Sequence, residues 1–316
     1  MFTNLRTSNS IKVINVYRFK LINSNSRRFY DSKTTSPLNY CMNSVKQHDY
    51  ENFICTLLLK DTARSCAFAI RAFNVELARI FDQVSKPEIG LMRMKFWEET
   101  VSTCYNKDIN KIPQHPVAFE LFRVITQFPL TKRYFNSLIN SRYDLLTKNV
   151  FINLEAIEAH SEKSVSSVYY LILEGCGVKN INADHAASHL GKAQGLVQQL
   201  RCVHMAKKLN TIPLPQDILA KHKITHEEIF RCTPSSRLNE CGFEVASRAH
   251  QHLVKARHIL ENVPAKGRSA LLPTVPVHNY LDKLQKCDYN ILHPELQTRS
   301  WWWIPRMWLI NVRNKY

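Results

Sequence analysis

The chain has 316 residues and 45% of them are hydrophobic, enough to bury one large core. Seven glycines and 13 prolines are too few for the turns of a many-stranded sheet protein, so helices are expected to dominate. The net charge of +17 suits an anionic membrane surface or an acidic partner, whereas nucleic acid lacks support: there is no RGG tract, no aromatic–basic interleave and no zinc-finger spacing.

Residues 1–30 carry Arg6, Lys12, Arg18, Lys20, Arg27 and Arg28 and no acid. An Arg- and Ser-rich, acid-free start with scattered apolar residues predicts a mitochondrial transit peptide, and Arg28-Phe29-Tyr30 resembles a matrix-protease site. Residues 31–48 are polar and read as a linker. Residues 49–316 read as one helical domain. The nine cysteines form no CxxC pair, so a disulfide framework or zinc ribbon is not expected. No run of about 18 apolar residues occurs, which excludes an obvious transmembrane helix.

From Thr62 to Val84, Cys66, Ile70, Phe73, Leu77, Ile80, Phe81 and Val84 recur at steps of three and four and predict a helix. Lys86-Pro87 starts the next, which runs to Cys104. His115–Phe128 and Thr131–Leu145 read as a helical pair split at Pro129. Asn153–Gly177 reads as one long helix ended by Gly175 and Gly177. Helices over Asp184 to about Ala206, over Arg237–Val263 and over Val277–Leu292 complete the series. Gly191, Ala193 and Gly195 permit close approach of a neighbouring helix or of a ligand, and helix packing is the favoured reading.

The stretches "AFAIRAFNVELARIFDQV", "MRMKFWEETV", "HPVAFELF", "EAHSEKSVSSVYYLILEGCGV" and "HLGKAQGLVQQLRCVHMAKKLNTIPLP" follow one another in an order and spacing that resemble the squalene/phytoene synthase family across nearly all of residues 50–290. The resemblance implies an all-α, isoprenoid-synthase-like fold with a central cavity. It also implies two DxxxD motifs facing each other there, whose aspartates hold Mg²⁺ and, through it, a prenyl diphosphate. Counted from Ala72-Phe73, the first motif becomes Ala78, Arg79 and Asp82. Counted from Leu200-Arg201 to Leu214-Pro215, the second becomes Cys202 and Ala206. Three of four key carboxylates are thus absent, thiolate is a poor Mg²⁺ ligand, and Arg79 would repel a cation. The expectation is a non-enzyme: a prenyl-synthase scaffold without its metal chemistry, with no catalytic residue, metal or cofactor.

Two sharper possibilities are weaker. His185 and His189, with Asp184 and His204 nearby, could begin a zinc site but lack a guaranteed further ligand. Cys202 and His204 point about 200° apart on a helix and cannot form a direct nucleophile–base pair. At the C-terminus, "SWWWIPRMWLINVRNKY" gathers Trp301, Trp302, Trp303 and Trp308 among Arg299, Arg306, Arg313 and Lys315. These tryptophans are candidates for membrane contact or for a packed terminal helix.

Among members of the family lacking the aspartates, "MRMKFWEETV", "HPVAFELF", "LTKRYF", "ADHAASHLGKAQGLV" and "ILHPELQ" make the chain similar to those that help assemble mitochondrial respiratory complex I. That similarity implies a matrix protein, peripheral on the inner membrane, acting early in building the peripheral arm. Its partners would be complex I subunits or other assembly factors, not nucleic acid. A pocket for an isoprenoid or lipid ligand, or a residual prenyltransferase, is the alternative. Deleting residues 1–30 is expected to leave a folded protein stranded in the cytosol. Undiminished mitochondrial localisation of the truncated chain, followed by fractionation, would contradict the transit-peptide reading.

Overall fold

Ser36 opens the first helix: its side chain accepts the Asn39 amide, and Pro37 occupies the first helical turn, where its missing N–H costs nothing. The computed structural model describes residues 36–84, 86–147, 150–299 and 301–313. The expected transit peptide lies outside them. The reading of 31–48 as a linker is corrected for its second part. Helix α1, Pro37–His48, buries Cys41 and Val45 and packs on the third and fifth helices. Two buried apolar positions one turn apart suffice once the neighbouring helices supply the rest of the surface.

The series continues with α2 (Tyr50–Leu57), α3 (Asp61–Gln83), α4 (Pro87–Tyr105), α5 (Pro116–Gln127) and α6 (Lys132–Thr147). The predicted Asn153–Gly177 helix is interrupted. Helix α7, Leu154–Ser161, passes through a wider π turn at Glu162–Ser166 into α8, Ser167–Gly175. Helix α9 spans Ile181–Cys202, and after a 3₁₀ turn at Val203–Met205 comes the one-turn α10, Ala206–Leu209. Short helices α11 (Gln216–Lys221) and α12 (His226–Phe230) lead into α13, Ser236–Leu260. Then come α14 (Ala265–Arg268), α15 (Thr274–Lys286) and α16 (Trp303–Arg313). The fifteenth helix ends six residues before the expected Leu292, because Asp288 and Tyr289 both take left-handed backbone. Among the described residues, β structure is limited to an isolated bridge between Val150 and Ile212. The all-α expectation holds.

Helices α3, α8 and α9 form the centre. Every residue from Cys66 to Phe73 of α3 is buried, and α9 packs most extensively along α13 on one side. On its other side α9 meets the π turn at a distance that only glycine permits. A methyl group at Gly191 would stand 2.7 Å from the Ser166 amide nitrogen and 2.8 Å from its Cα. One at Gly195 would collide with the Ser161 side chain. Gly191 and Gly195 therefore serve helix packing, the favoured of the two uses open to them. Gly191→Ala is expected to cost about 1–3 kcal/mol, because backbone must move to make room. A thermal midpoint unchanged from the parent would show that the two helices can separate freely.

Candidate functional site

The last turns of α3 and the end of α9 converge where the resemblance places two aspartate motifs. Asp82, Cys202 and the cations Arg79 and Lys208 share this place. Burial pushes the Asp82 carboxyl up to about 6, against the opposing pull of Lys208 and Arg79. Burial likewise pushes the Cys202 thiol up to about 12, and the Asp82 charge adds to that rise. A thiol so placed stays protonated near neutrality and is a poor nucleophile. Ala206 is fully buried, whereas Ala78, one turn before Asp82, is exposed. Arg79 lies 3.8 Å from Glu76 of its own helix. Sequence reasoning missed Lys208, since it sits two residues beyond the motif and comes near Asp82 only after the 3₁₀ turn redirects the chain.

Arg201 faces a different place. Its guanidinium grips Glu51 of α2 with two hydrogen bonds, 2.8 and 3.0 Å, and lies 4.5 Å from the centre of the Tyr280 ring. Such a two-pronged, stacked guanidinium is held in one geometry. Beside it is a cavity of about 50 Å³ lined in part by Tyr50, Lys283, Arg299 and Trp301. Arg299 covers the Tyr50 ring at 4.1 Å, and Trp301 meets that ring edge-on at 6.2 Å. The segment between α15 and α16 thus closes over the Arg201–Glu51 pair.

Deeper inside is a polar cluster that sequence reasoning also missed. Arg71, 4% exposed, stands 3.9 Å from Asp49 and 5.7 Å from the Tyr169 ring centre. The Tyr169 hydroxyl donates to Gln194 of α9. Burial raises the Asp49 carboxyl, and Arg71 offsets part of that rise. The available signal was Arg71 itself, a lone cation inside the apolar run "AFAIRAF".

The histidine readings resolve into pairing with other elements. His185 is exposed, while His189 Nδ1 lies 2.8 Å from His252 Nδ1 of α13. One ring must donate and the other accept, which suits two neutral imidazoles. Burial, then the His252 charge, pulls His189 down to about 4. His252 Nε2 is 3.1 Å from Glu158. Elsewhere, ligand atoms of Cys287, His293 and Glu295 lie within 4.8 Å of one another. However, His293 Nδ1 accepts the Glu295 amide at 3.3 Å as a helix cap, so the lone pair facing Cys287 is already committed.

The C-terminal tryptophans divide. Trp303 is 5% exposed and packs with Cys55, Leu272, Val275 and Met307, so it is unavailable to a surface partner. Trp301, Trp302 and Trp308 are exposed.

With this geometry established, the comparisons with known proteins are decisive for the family. Residues 45–302 match the squalene/phytoene synthase family. The chain belongs to that family. Solved family structures share its fold. The squalene synthase HpnC of Alicyclobacillus acidocaldarius superposes with a TM-score of 0.70 at 16% identity, covering 80% of this chain and 95% of that one. A dehydrosqualene synthase bound to a ligand gives 0.74 at 15% identity, covering 88% and 96%. Within the family, proteins named NADH dehydrogenase (ubiquinone) complex I, assembly factor 6 are far more similar in sequence. The bovine one is 39% identical over 277 residues, 88% of this chain and 82% of its own. The human one is 40% identical over 262 residues, 83% and 78%. The Drosophila melanogaster homolog is 34% identical over 281 residues, 88% and 84%.

The raised carboxyl of Asp82 has a thermodynamic consequence. Its folded pKa lies above the ordinary value of 3.8, so the native state binds the proton more tightly than the unfolded chain. Stability contributed by the protonated form is present below about pH 4 and is lost as the pH rises toward 6. Asp82→Asn is therefore expected to raise stability at pH 7.5, by roughly 1–2 kcal/mol after solvent screening of a partly exposed group. It should change little at pH 3.5. A mutant that melts lower than the parent at pH 7.5 would show that the carboxylate is held by favourable contacts.

Proposed function

We propose that this chain is a non-catalytic assembly factor for mitochondrial respiratory complex I. The observation that carries the reading is identity of 39–40% over most of both chains to bovine and human proteins bearing that name. It acts early, while the peripheral arm is being built, at the matrix face of the inner membrane. Its partners there are complex I subunits or other assembly factors. The basic, acid-free residues 1–30 are its import signal. No helix among the described residues is long and apolar enough to cross a membrane, which accords with peripheral attachment.

Loss of prenyl transfer is part of the same proposal. Mg²⁺ needs oxygen ligands in number. Where the resemblance expects four carboxylates, the chain offers Ala78, Asp82, Cys202 and Ala206. Asp82 is flanked by Arg79 and Lys208, two fixed positive charges that disfavour a further divalent cation. An isoprenoid- or lipid-binding module and a residual prenyltransferase are the competing readings.

Depletion of the protein in cells is expected to lower complex I on native gels while the other respiratory complexes persist. Re-expression of the parent, or of Asp82→Asn, should restore it. Purified protein given farnesyl diphosphate and Mg²⁺ should yield no C30 product. Unchanged complex I on depletion would overturn the assembly role, and Mg²⁺-dependent turnover would overturn the loss of catalysis.

A further inference from the structure

Helix α16 is apolar on two opposite sides. Its inner side, Trp303, Met307 and Ile310, recurs at steps of four and three and packs on Cys55, Leu272 and Val275. Asn311 secures the same side through a 2.8 Å hydrogen bond with Ser269. Its outer side, Pro305, Trp308, Leu309 and Val312, recurs at steps of three, one and three and is exposed. Ideal helix geometry centres the second stripe roughly 180° from the first. Trp301 and Trp302, just before the helix, extend the outer stripe, and Trp302 is 88% exposed. Five of the 15 large exposed apolar residues among those described fall between positions 301 and 312, so they form a patch, unlike singly scattered surface hydrophobes.

The rim of the patch is cationic. After Glu295 the sequence contains no acidic residue, while Arg299, Arg306, Arg313 and Lys315 follow. Exposed Lys60 and Lys266 line a shallow depression together with Val312. Arg306 also stands near enough to Arg257 of α13 to depress its ionisation, after burial, with only Asp282 opposing. The Arg257 Nε is buried and finds no hydrogen-bond partner. An outward apolar stripe needs an apolar phase, and a rim in which cations predominate needs anions beside that phase. A protein partner would have to supply both. An anionic phospholipid surface supplies them by its nature, and Trp is favoured at that boundary. The helix has 11 residues, about 17 Å at 1.5 Å per residue, far short of the roughly 30 Å hydrocarbon core. It can lie in the interface but cannot span it.

We propose that the outer face of α16, with Trp301, Trp302, Trp308, Leu309 and Val312 as its apolar contact and Arg306, Lys266, Lys60 and Arg313 as its rim, docks the protein flat on an anionic phospholipid surface. The proposal rests on the peripheral placement above only for which membrane is met. The buried side holds the helix on the fold, so the contact is a rigid part of the domain.

The test uses the full chain and vesicles of phosphatidylcholine with or without cardiolipin. The parent should sediment with the cardiolipin vesicles, and its tryptophan emission should shift to shorter wavelength. Combining Trp302→Ser with Trp308→Ser removes side chains that are 88% and 54% exposed and lie off the buried stripe, so the variant should stay folded and melt close to the parent. It should lose most of the vesicle-bound fraction that survives high salt, since screening does not act on apolar burial. Arg306→Ala with Lys266→Ala should weaken binding at low salt by roughly tenfold to thirtyfold and leave the salt-resistant part. No binding by the parent, or equal binding by the normally folded tryptophan variant, overturns the proposal. Native gels of cells carrying each variant separate the two readings. Vesicle binding with no complex I defect on depletion sinks the assembly role alone, and a defect on depletion with no vesicle binding sinks the docking face alone.

Discussion

The contact between Gly191 of α9 and the backbone of Ser166 sets the geometry of everything around it. A π turn widens the helix by one residue per turn locally, which brings Ser161 and Ser166 toward α9 on the same side. Gly191 and Gly195, one turn apart, provide the groove that receives them. With α9 pressed to that depth, its opposite side is available to α13, and its C-terminal end arrives beside α3. Arg201 then reaches Glu51, and Cys202 comes near Asp82. Moving α9 outward would break all of these together, because interior packing transmits displacement instead of absorbing it.

Charge is arranged differently at three depths of this interior. Innermost, Arg71, Asp49, Tyr169 and Gln194 link α3, the start of α2, α8 and α9 through polar contacts. Next, Arg201 and Glu51 form a two-pronged pair that ties α9 to α2 under the Tyr280 ring. Where α3 meets the end of α9, Asp82 is one carboxylate between Arg79 and Lys208. The first two places neutralise themselves with protein groups. Removing Glu51 would take two charge-assisted hydrogen bonds from a largely buried guanidinium, which is costlier than never having built the pair.

Most of the helical frame was readable because its apolar residues recur at helical spacing over long stretches. Helix α3 is the clearest example, with Cys66, Ile70, Phe73, Leu77 and Ile80 all buried as expected. Helix α1 was missed because only Cys41 and Val45 mark its buried side, too few to outweigh its polar residues, although Ser36-Pro37 was a legible start signal. The end of α15 was overrun because its two left-handed residues are Asp288 and Tyr289 and not glycine. The π turn has no composition of its own; its trace in the sequence is the pair of glycines on the helix that packs against it. At the site, counting from neighbouring anchors picked out Asp82 and Cys202, which the fold does bring near each other. Lys208 and Arg71 could not be found that way, since their roles depend on which helices meet. The split of the tryptophans follows from phase: Trp303 and Met307 are four apart and go inward together, which turns Trp308 outward.

The balance of charge where α3 and the end of α9 meet accords with the proposed loss of metal chemistry there. Clustered carboxylates repel one another in a low-dielectric cleft, and a metal-binding scaffold holds them there only because cations complete the site. A chain with Ala78, Cys202 and Ala206 carries none of that repulsion. Cys202 is held protonated by its burial, and Ala206 fills space as an ordinary core residue. Arg79 and Lys208 supply as fixed side chains the positive charge that a metal would bring, and a lone carboxylate is enough to face them. What the helical frame presents outward is surface, and the part of that surface whose chemistry differs most from its surroundings is the apolar, cation-rimmed face of α16.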